Sequence, residues 1–248
     1  MTNILPGTGY TDGAGGGFYH SRFQRCPFIR CRFRGRKQRG WIFASENDIP
    51  GRLETDECAM HSFHDGTIKD ICTTAVYSGC GKINASITAQ LLIDRYDVDA
   101  IIFSGIAGGM KKEIQVFDTI VCTASAFHDT DNEIYTDFPV MKEPIFYADD
   151  GLTALAKEAA GRIGRKIHFG VATTGDRYME PIHPDALCID METAAVAHAC
   201  YLNGVPFIAV RSISDNDKEA GQEAINRNYD KAVQQSYQFI LEMLEGIR

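Results

Sequence analysis

The stretch METAAVAHACYLNGVPFIAVRSISDN, residues 191–216, holds one complete helix-to-strand unit. Its first half reads as a helix that stops at Gly204, since glycine is favoured just past a helix C-terminus. Its second half, VPFIAVRSIS, is a short apolar run rich in β-branched residues, the pattern of a strand buried on both faces. Asp215 follows at the strand's carboxyl end.

Working outward, the same alternation recurs on both sides. DICTTAVY (70–77) reads as a buried strand, and INASITAQLLIDRY (83–96) spaces Ile83, Ile87, Leu91 and Leu92 as a helix would. DAIIFSG (99–105) and DTIVCTASAF (118–127) are further β-rich runs. LTALAKEAAGRIG predicts a helix, IHFGVATTG a strand, and a long helix closes the chain through Leu244. Repeated β–α alternation implies one α/β domain of three layers, with helices on both faces of a mostly parallel or mixed sheet.

Composition narrows the function classes. The 248 residues are 44% hydrophobic and 23% charged, ordinary for a soluble globular chain. A net charge of -8 argues against nucleic acid as a partner. No run is long and apolar enough to span a bilayer, and the N-terminus lacks the pattern of a signal peptide, so no membrane partner and a cytoplasmic setting are expected. The eight cysteines are dispersed, several within apolar runs, and read as reduced thiols. Cys58, His61 and His64 have the spacing C-x2-H-x2-H, which matches no strong zinc pattern, so neither metal nor cofactor is expected.

Residues 1–65 stand apart from the alternating region, 66–248. Nine of the 23 glycines lie within the first 51 residues, and eight arginines crowd the stretch from Arg22 to Arg52 with no sustained period. The run RCPFIRCRFRGRKQRG (25–40) is densely basic within an acidic protein. Phe23, Phe28, Phe33 and Trp41 accompany the arginines from Arg22 to Arg39, as base stacking would need, but the acidic remainder weighs against a nucleic-acid surface.

Ligands of open α/β sheets sit at the carboxyl ends of strands. Four places qualify: SGCGK (78–82), SGIAGG (104–109), TTGDRYM (173–179) and RSISDND (211–217). Asp215 at the end of an apolar strand would be partly desolvated, its carboxyl kept protonated as a general acid requires. As a residue type it serves equally well as an N-cap for the next helix. Glu192 likewise suits a helix start. Position alone leaves both readings open.

Taken in order, SGCGKINASITAQLL, IIFSGIAGGM, DTIVCTASAFHDTD, ATTGDRYM and IDMETAAVAHACYLNGVPFIAVRSISDN resemble the 5′-methylthioadenosine/S-adenosylhomocysteine nucleosidases of the nucleoside phosphorylase superfamily. The resemblance implies hydrolysis of the N-glycosidic bond of adenine nucleosides, with a place in methionine salvage. On it, Asp215 protonates N7 of the leaving adenine and Glu192 binds the ribose hydroxyls, with Met191 beneath the sugar. Tyr178 stacks on adenine and Met179 reads its edge through the backbone. Ala107 and Gly108 line the nucleoside pocket, Cys80 lies near the 5′-thio group, and Arg211 and Ser214 orient the acid and its neighbours. A homodimer is implied, with the segment from His128 to Asp131 near the partner. The strand before the glycine turn, IIFSGIAGG, carries no phosphate-binding arginine, which favours hydrolysis over phosphorolysis.

Three departures accompany the resemblance. The link from Met179 to Met191 is short, the loop after Asp215 lacks a lid aromatic, and the family's first strand with its Met-Glu-Xaa-Glu turn is not visible. Read one base later, the codon sets for Pro6 to Thr11 admit Leu-Val-Leu-Val-Ile-Pro, and those for Asp12 to Gly15 admit Met-Glu-Xaa-Glu. Residues 6 to about 60 then read as a frame-shifted translation, with Gly15 in the place of the glutamate that positions water. Alternatives are a futalosine hydrolase, a purine nucleoside phosphorylase, and a catalytically impaired nucleoside-binding protein.

Overall fold

The structure is a computed structural model and describes residues 27–30, 54–130, 144–177 and 183–247. An N-terminal group of strands, β1 (Pro27–Arg30), β2 (Glu54–Cys58), β3 (His61–Ile68) and β4 (Ile71–Tyr77), leads into helix α1 (Lys82–Tyr96). Next come β5 (Ile101–Gly109), β6 (Thr119–Phe127), β7 (Phe146–Tyr147) and helix α2 (Asp150–Arg162). The chain continues through β8 (Ile167–Thr174), β9 (Ala186–Asp190), helix α3 (Thr193–Asn203) and β10 (Phe207–Asp215) to the C-terminal helix α4 (Gln222–Glu245).

Alternation along the buried strands sets the layers. On β10, Phe207, Ala209 and Ile213 join one core cluster, while Ile208 and Val210 join the other. The first cluster takes Ala85, Ala89 and Leu92 of α1 and the alanine face of α3. The second takes Leu152, Ala156 and Ala159 of α2 with Phe239, Ile240 and Met243 of α4. Helices therefore cover both faces of the sheet, the three-layer arrangement expected from the sequence. Local signals end the helices where the sequence suggests. Gly204 (φ 64°) terminates α3 in the left-handed region, and the Asp149 carboxylate caps α2 by accepting from the Leu152 amide at 2.9 Å.

Of the two sheet types that the sequence allows, mostly parallel or mixed, the structure has the mixed one. Its order is β10-β6-β8-β9-β5-β1-β4-β3-β2, and β10 also pairs with β5. Strands β10, β6, β8, β9 and β5 therefore close on themselves, with β1, β4, β3 and β2 extending from β5 as a wing. Among the described residues, parallel pairing is confined to β10–β5, β6–β8 and β8–β9. By contrast, β10 runs antiparallel to β6, and β5 antiparallel to β9.

Two segments upstream of residue 66 belong to this sheet. Strand β1, inside the basic run, sits between β4 and β5 and is antiparallel to both, with Phe28 opposite Val76 and Phe103. The hairpin β2–β3 pairs Glu54 with Asp65 and continues onto β4, so β3 crosses the expected boundary at 65/66. The physical reason is ladder satisfaction: buried strand edges need a neighbour, and these segments supply it. Among the described residues, no helix is long and apolar enough to cross a membrane.

Candidate active site

The carboxyl ends of β5, β8, β9 and β10 and the turn after β4 converge on one cavity of about 210 Å³. It is lined by Cys80, Ala107, Gly108, Met191, Glu192, Ser214 and Asp215 among others, so seven of the ten site residues named from sequence share one wall system. Parallel pairing of β10 with β5 brings Asp215 opposite Gly108. A bulge between Ile213 and Asp215 lets one extra residue, Ser214, enter at this point. A side chain at 108 would stand 3.1 Å from Ile189 Cγ2 and 3.4 Å from Asp215 Oδ2, so glycine here keeps the acid accessible.

Asp215 ends its strand and caps no helix. The N-cap of α4 is Gly221, six residues on, which removes the capping alternative. Burial pushes the Asp215 carboxyl up, and the Ser214 hydroxyl, donating to Oδ1 at 2.6 Å, pulls it partly back. With Oδ1 held this way, Oδ2 is the oxygen that faces Gly108.

Glu192 occupies the N-cap position of α3, yet its side chain caps nothing there. Its Oε1 instead accepts from the Gly81 amide at 2.8 Å, and its Oε2 lies 3.7 Å from Arg211 Nη2. Burial raises this carboxyl too, opposed by the Arg211 guanidinium and the Gly81 amide. Arg211 is fully buried, 4.2 Å from the centre of the Phe103 ring. It therefore lies behind the cavity wall and shapes the site through its partners.

The residue that sequence reasoning missed here is Asp190. Its Oδ2 pairs with Arg211 Nε at 2.8 Å and with the Thr193 hydroxyl, while Oδ1 accepts from Thr174 Oγ1 at 2.6 Å and from the Glu192 and Thr193 amides. One carboxylate thus ties β8, β10 and the start of α3 together. Its signal is an acid at a strand end immediately before MET. Ile225 and Tyr229, one turn apart on α4, were also missed and line the cavity. Tyr229 supplies an aromatic wall from the helix where the loop after Asp215 has none, with Ile225 beside it.

Cys80 faces Met191, with sulfur atoms 3.6 Å apart. Burial and then the Glu192 charge push its thiol up to about 11, so the group is neutral and apolar at physiological pH. Tyr178 and Met179 lie outside the described residues, as does Gly15. The turn before them is held closely: the Asp176 amide donates to Asp129 Oδ2 at 2.7 Å, and His128 Nε2 lies 2.9 Å from the Arg177 carbonyl. His61 and His64 turn to Tyr77, Thr88 and Thr55, the first at 2.8 Å from the Tyr77 carbonyl.

Comparison with known proteins places the chain in a family. The family model of the phosphorylase superfamily matches residues 43–245, starting upstream of the region from which the resemblance was read. A 5′-methylthioadenosine/S-adenosylhomocysteine nucleosidase of an Exiguobacterium species is 35% identical over 70% of this chain and 80% of its own. The Colwellia psychrerythraea nucleosidase of the same kind, solved with adenine, matches at a TM-score of 0.70 and 28% identity, over 79% of this chain and 87% of its own. The futalosine hydrolase of Helicobacter pylori matches at 0.71 and 27% identity, over 78% and 88%.

Proposed function

Because the chain belongs to the 5′-methylthioadenosine/S-adenosylhomocysteine nucleosidases of the phosphorylase superfamily, we propose that it hydrolyses the N-glycosidic bond of such adenine nucleosides and releases adenine. The observation that carries this reading is a pair of carboxyls across one cavity. Asp215 is raised by burial with only a neutral hydroxyl opposing it, whereas Glu192 is backed by a guanidinium.

The chemistry follows from that contrast. A protonated Asp215 donates from Oδ2 to N7 of the base, which lets adenine leave neutral. Positive charge develops on the ribose, and Glu192, backed by the Arg211 guanidinium, holds the hydroxyls beside it. Met191 and Cys80 give the 5′ end a soft, uncharged lining suited to a thioether. Met179 and Tyr178 are assigned to the base through the family resemblance, and Arg211 and Ser214 to aiming the two carboxyls.

Water adds to the ribosyl cation last. The family resemblance assigns the glutamate for this step to Gly15, so turnover is expected to be slow, with an out-of-frame stretch that starts at residue 6 and ends before residue 43, where the family match begins. The deciding experiment is adenine release from methylthioadenosine and adenosylhomocysteine, run beside a version carrying Leu-Val-Leu-Val-Ile-Pro-Met-Glu-Xaa-Glu at 6–15. Equal and rapid turnover by both would show that another group positions the water. No adenine from either, with hydrolysis of futalosine instead, would favour the second reading suggested by the Helicobacter likeness.

A cytoplasmic homodimer acting in methionine salvage is the setting proposed. Cys58, Cys72, Cys80, Cys122, Cys188 and Cys200 are all free thiols, which suits a reducing compartment. Ile83 and Ile87 of α1 and Tyr201 and Leu202 of α3 are exposed apolar side chains, the kind a partner subunit covers.

A further inference from the structure

We infer that Lys82 is a positioning residue that locks the turn Gly175–Arg177, and with it the approach to the base, onto the first turn of α1. This rests on the nucleosidase reading above. Lys82 is the first residue of α1, directly after Gly81, whose amide binds Glu192. Its ammonium touches both oxygens of Asp129 at 2.8 Å and lies 3.3 Å from Asp176 Oδ2. It also sits 5.6 Å from the centre of the Phe127 ring.

Asp129 passes the restraint on, because its Oδ2 accepts the Asp176 amide at 2.7 Å. His128 adds a second anchor through the Arg177 carbonyl, and its own Nδ1 is fixed by Thr173 Oγ1 at 3.1 Å. The Gly175 amide donates to the Asp190 carbonyl at 3.1 Å. The turn is seated so tightly that a side chain on Gly175 would collide with the His128 ring.

Two catalytic regions thus meet at one short segment. Gly81 steadies the ribose carboxylate and Lys82 steadies the turn bordering the base, so displacement of one shifts the other. An ion pair that is only partly exposed (22% for Lys82, 10% for Asp129) is screened less than a surface pair and keeps a fixed geometry. Lys82 and Asp129 do not line the cavity and act on it through Gly175, Asp176 and Arg177, which do.

The test uses Lys82→Met and Lys82→Arg in the full chain, with two readouts. Hydrogen exchange at the Asp176 amide reports the lock itself, whatever the ligand. Affinity for free adenine and the KM of methylthioadenosine report its consequence. Lys82→Met is expected to speed exchange at Asp176 and weaken adenine binding by about tenfold, raising KM more than it lowers kcat, while Lys82→Arg restores most of the difference. Unchanged exchange and adenine affinity in Lys82→Met would overturn the inference while leaving the nucleosidase reading intact. Faster exchange in Lys82→Met, from a wild-type chain that binds no adenine, would sink that reading and the inferred role with it.

Discussion

Asp215 and Glu192 are both buried carboxyls on one cavity, yet the fold treats them as opposites. Each loses hydration, and each is raised for that reason first. Around Glu192 the structure places a cation and a backbone amide, with Asp190 anchoring the cation from its other side. Around Asp215 it places a hydroxyl and a glycine. Burial alone therefore does not assign a role. What a buried acid does is set by whether its charge has somewhere to go.

The sharpest way to break this contrast is Asp215→Asn. Asparagine keeps the shape and loses the transferable proton, so kcat for adenine release should fall by about 10²–10⁴-fold with little change in nucleoside affinity. A loss of affinity with unchanged kcat would remove the general-acid role. Glu192→Gln should follow with a loss of about 10- to 100-fold in kcat/KM, spread over both constants, because a charge-assisted contact is weakened in ground and transition states alike. Comparing ribo and 2′-deoxy nucleosides checks it. The wild-type preference for the hydroxyl should shrink in the variant, and equal wild-type rates on both would refute the contact.

Acidity offers a finer test. Since Asp215 must be protonated to act, kcat should decline as pH rises through its raised value. The Ser214 hydroxyl stabilises the carboxylate, so Ser214→Ala should move that alkaline limb to higher pH, at a loss below about tenfold in rate. A limb moving to lower pH would contradict the assignment of which oxygen holds the proton. The smallest effect is on stability. In the folded chain Asp215 keeps its proton to higher pH than in the unfolded chain, so stability drains away as pH climbs through that interval. Asp215→Asn abolishes the drain, and its Tm should exceed the wild-type value near pH 7 while matching it near pH 3.

Much of the site is legible in the sequence alone. RSISD and IDMETAA lead to Asp215, Arg211, Ser214, Met191 and Glu192 through the family resemblance, whereas strand-end and helix-start position alone leaves Asp215 and Glu192 open between site and cap. The α3–β10 unit is legible from its helix stop at Gly204 and its β-branched apolar run, within two residues at each end. Asp190 is not, since its importance lies in Arg211 and Thr174, partners distant in sequence. Strand β9, ALCID, is short and adjoins a proline- and histidine-bearing link, too little for a period to show. The individual antiparallel pairings are hidden as well, because β–α alternation says that strands are buried without saying which neighbours they take. Ile225 and Tyr229 sit one turn apart on a helix whose apolar stripe reads as core until the cavity beside it is known.

The bulge at Ser214 carries a consequence of a different kind. It makes the acid's placement a matter of counting rather than of chemistry. Deleting one residue between Arg211 and Asp215, or inserting one, would advance or retard the carboxyl against Gly108 and turn it to the opposite side of the strand. A library built by substitution can therefore explore this strand end widely, whereas one that admits length variation should lose every active member at the first change of register.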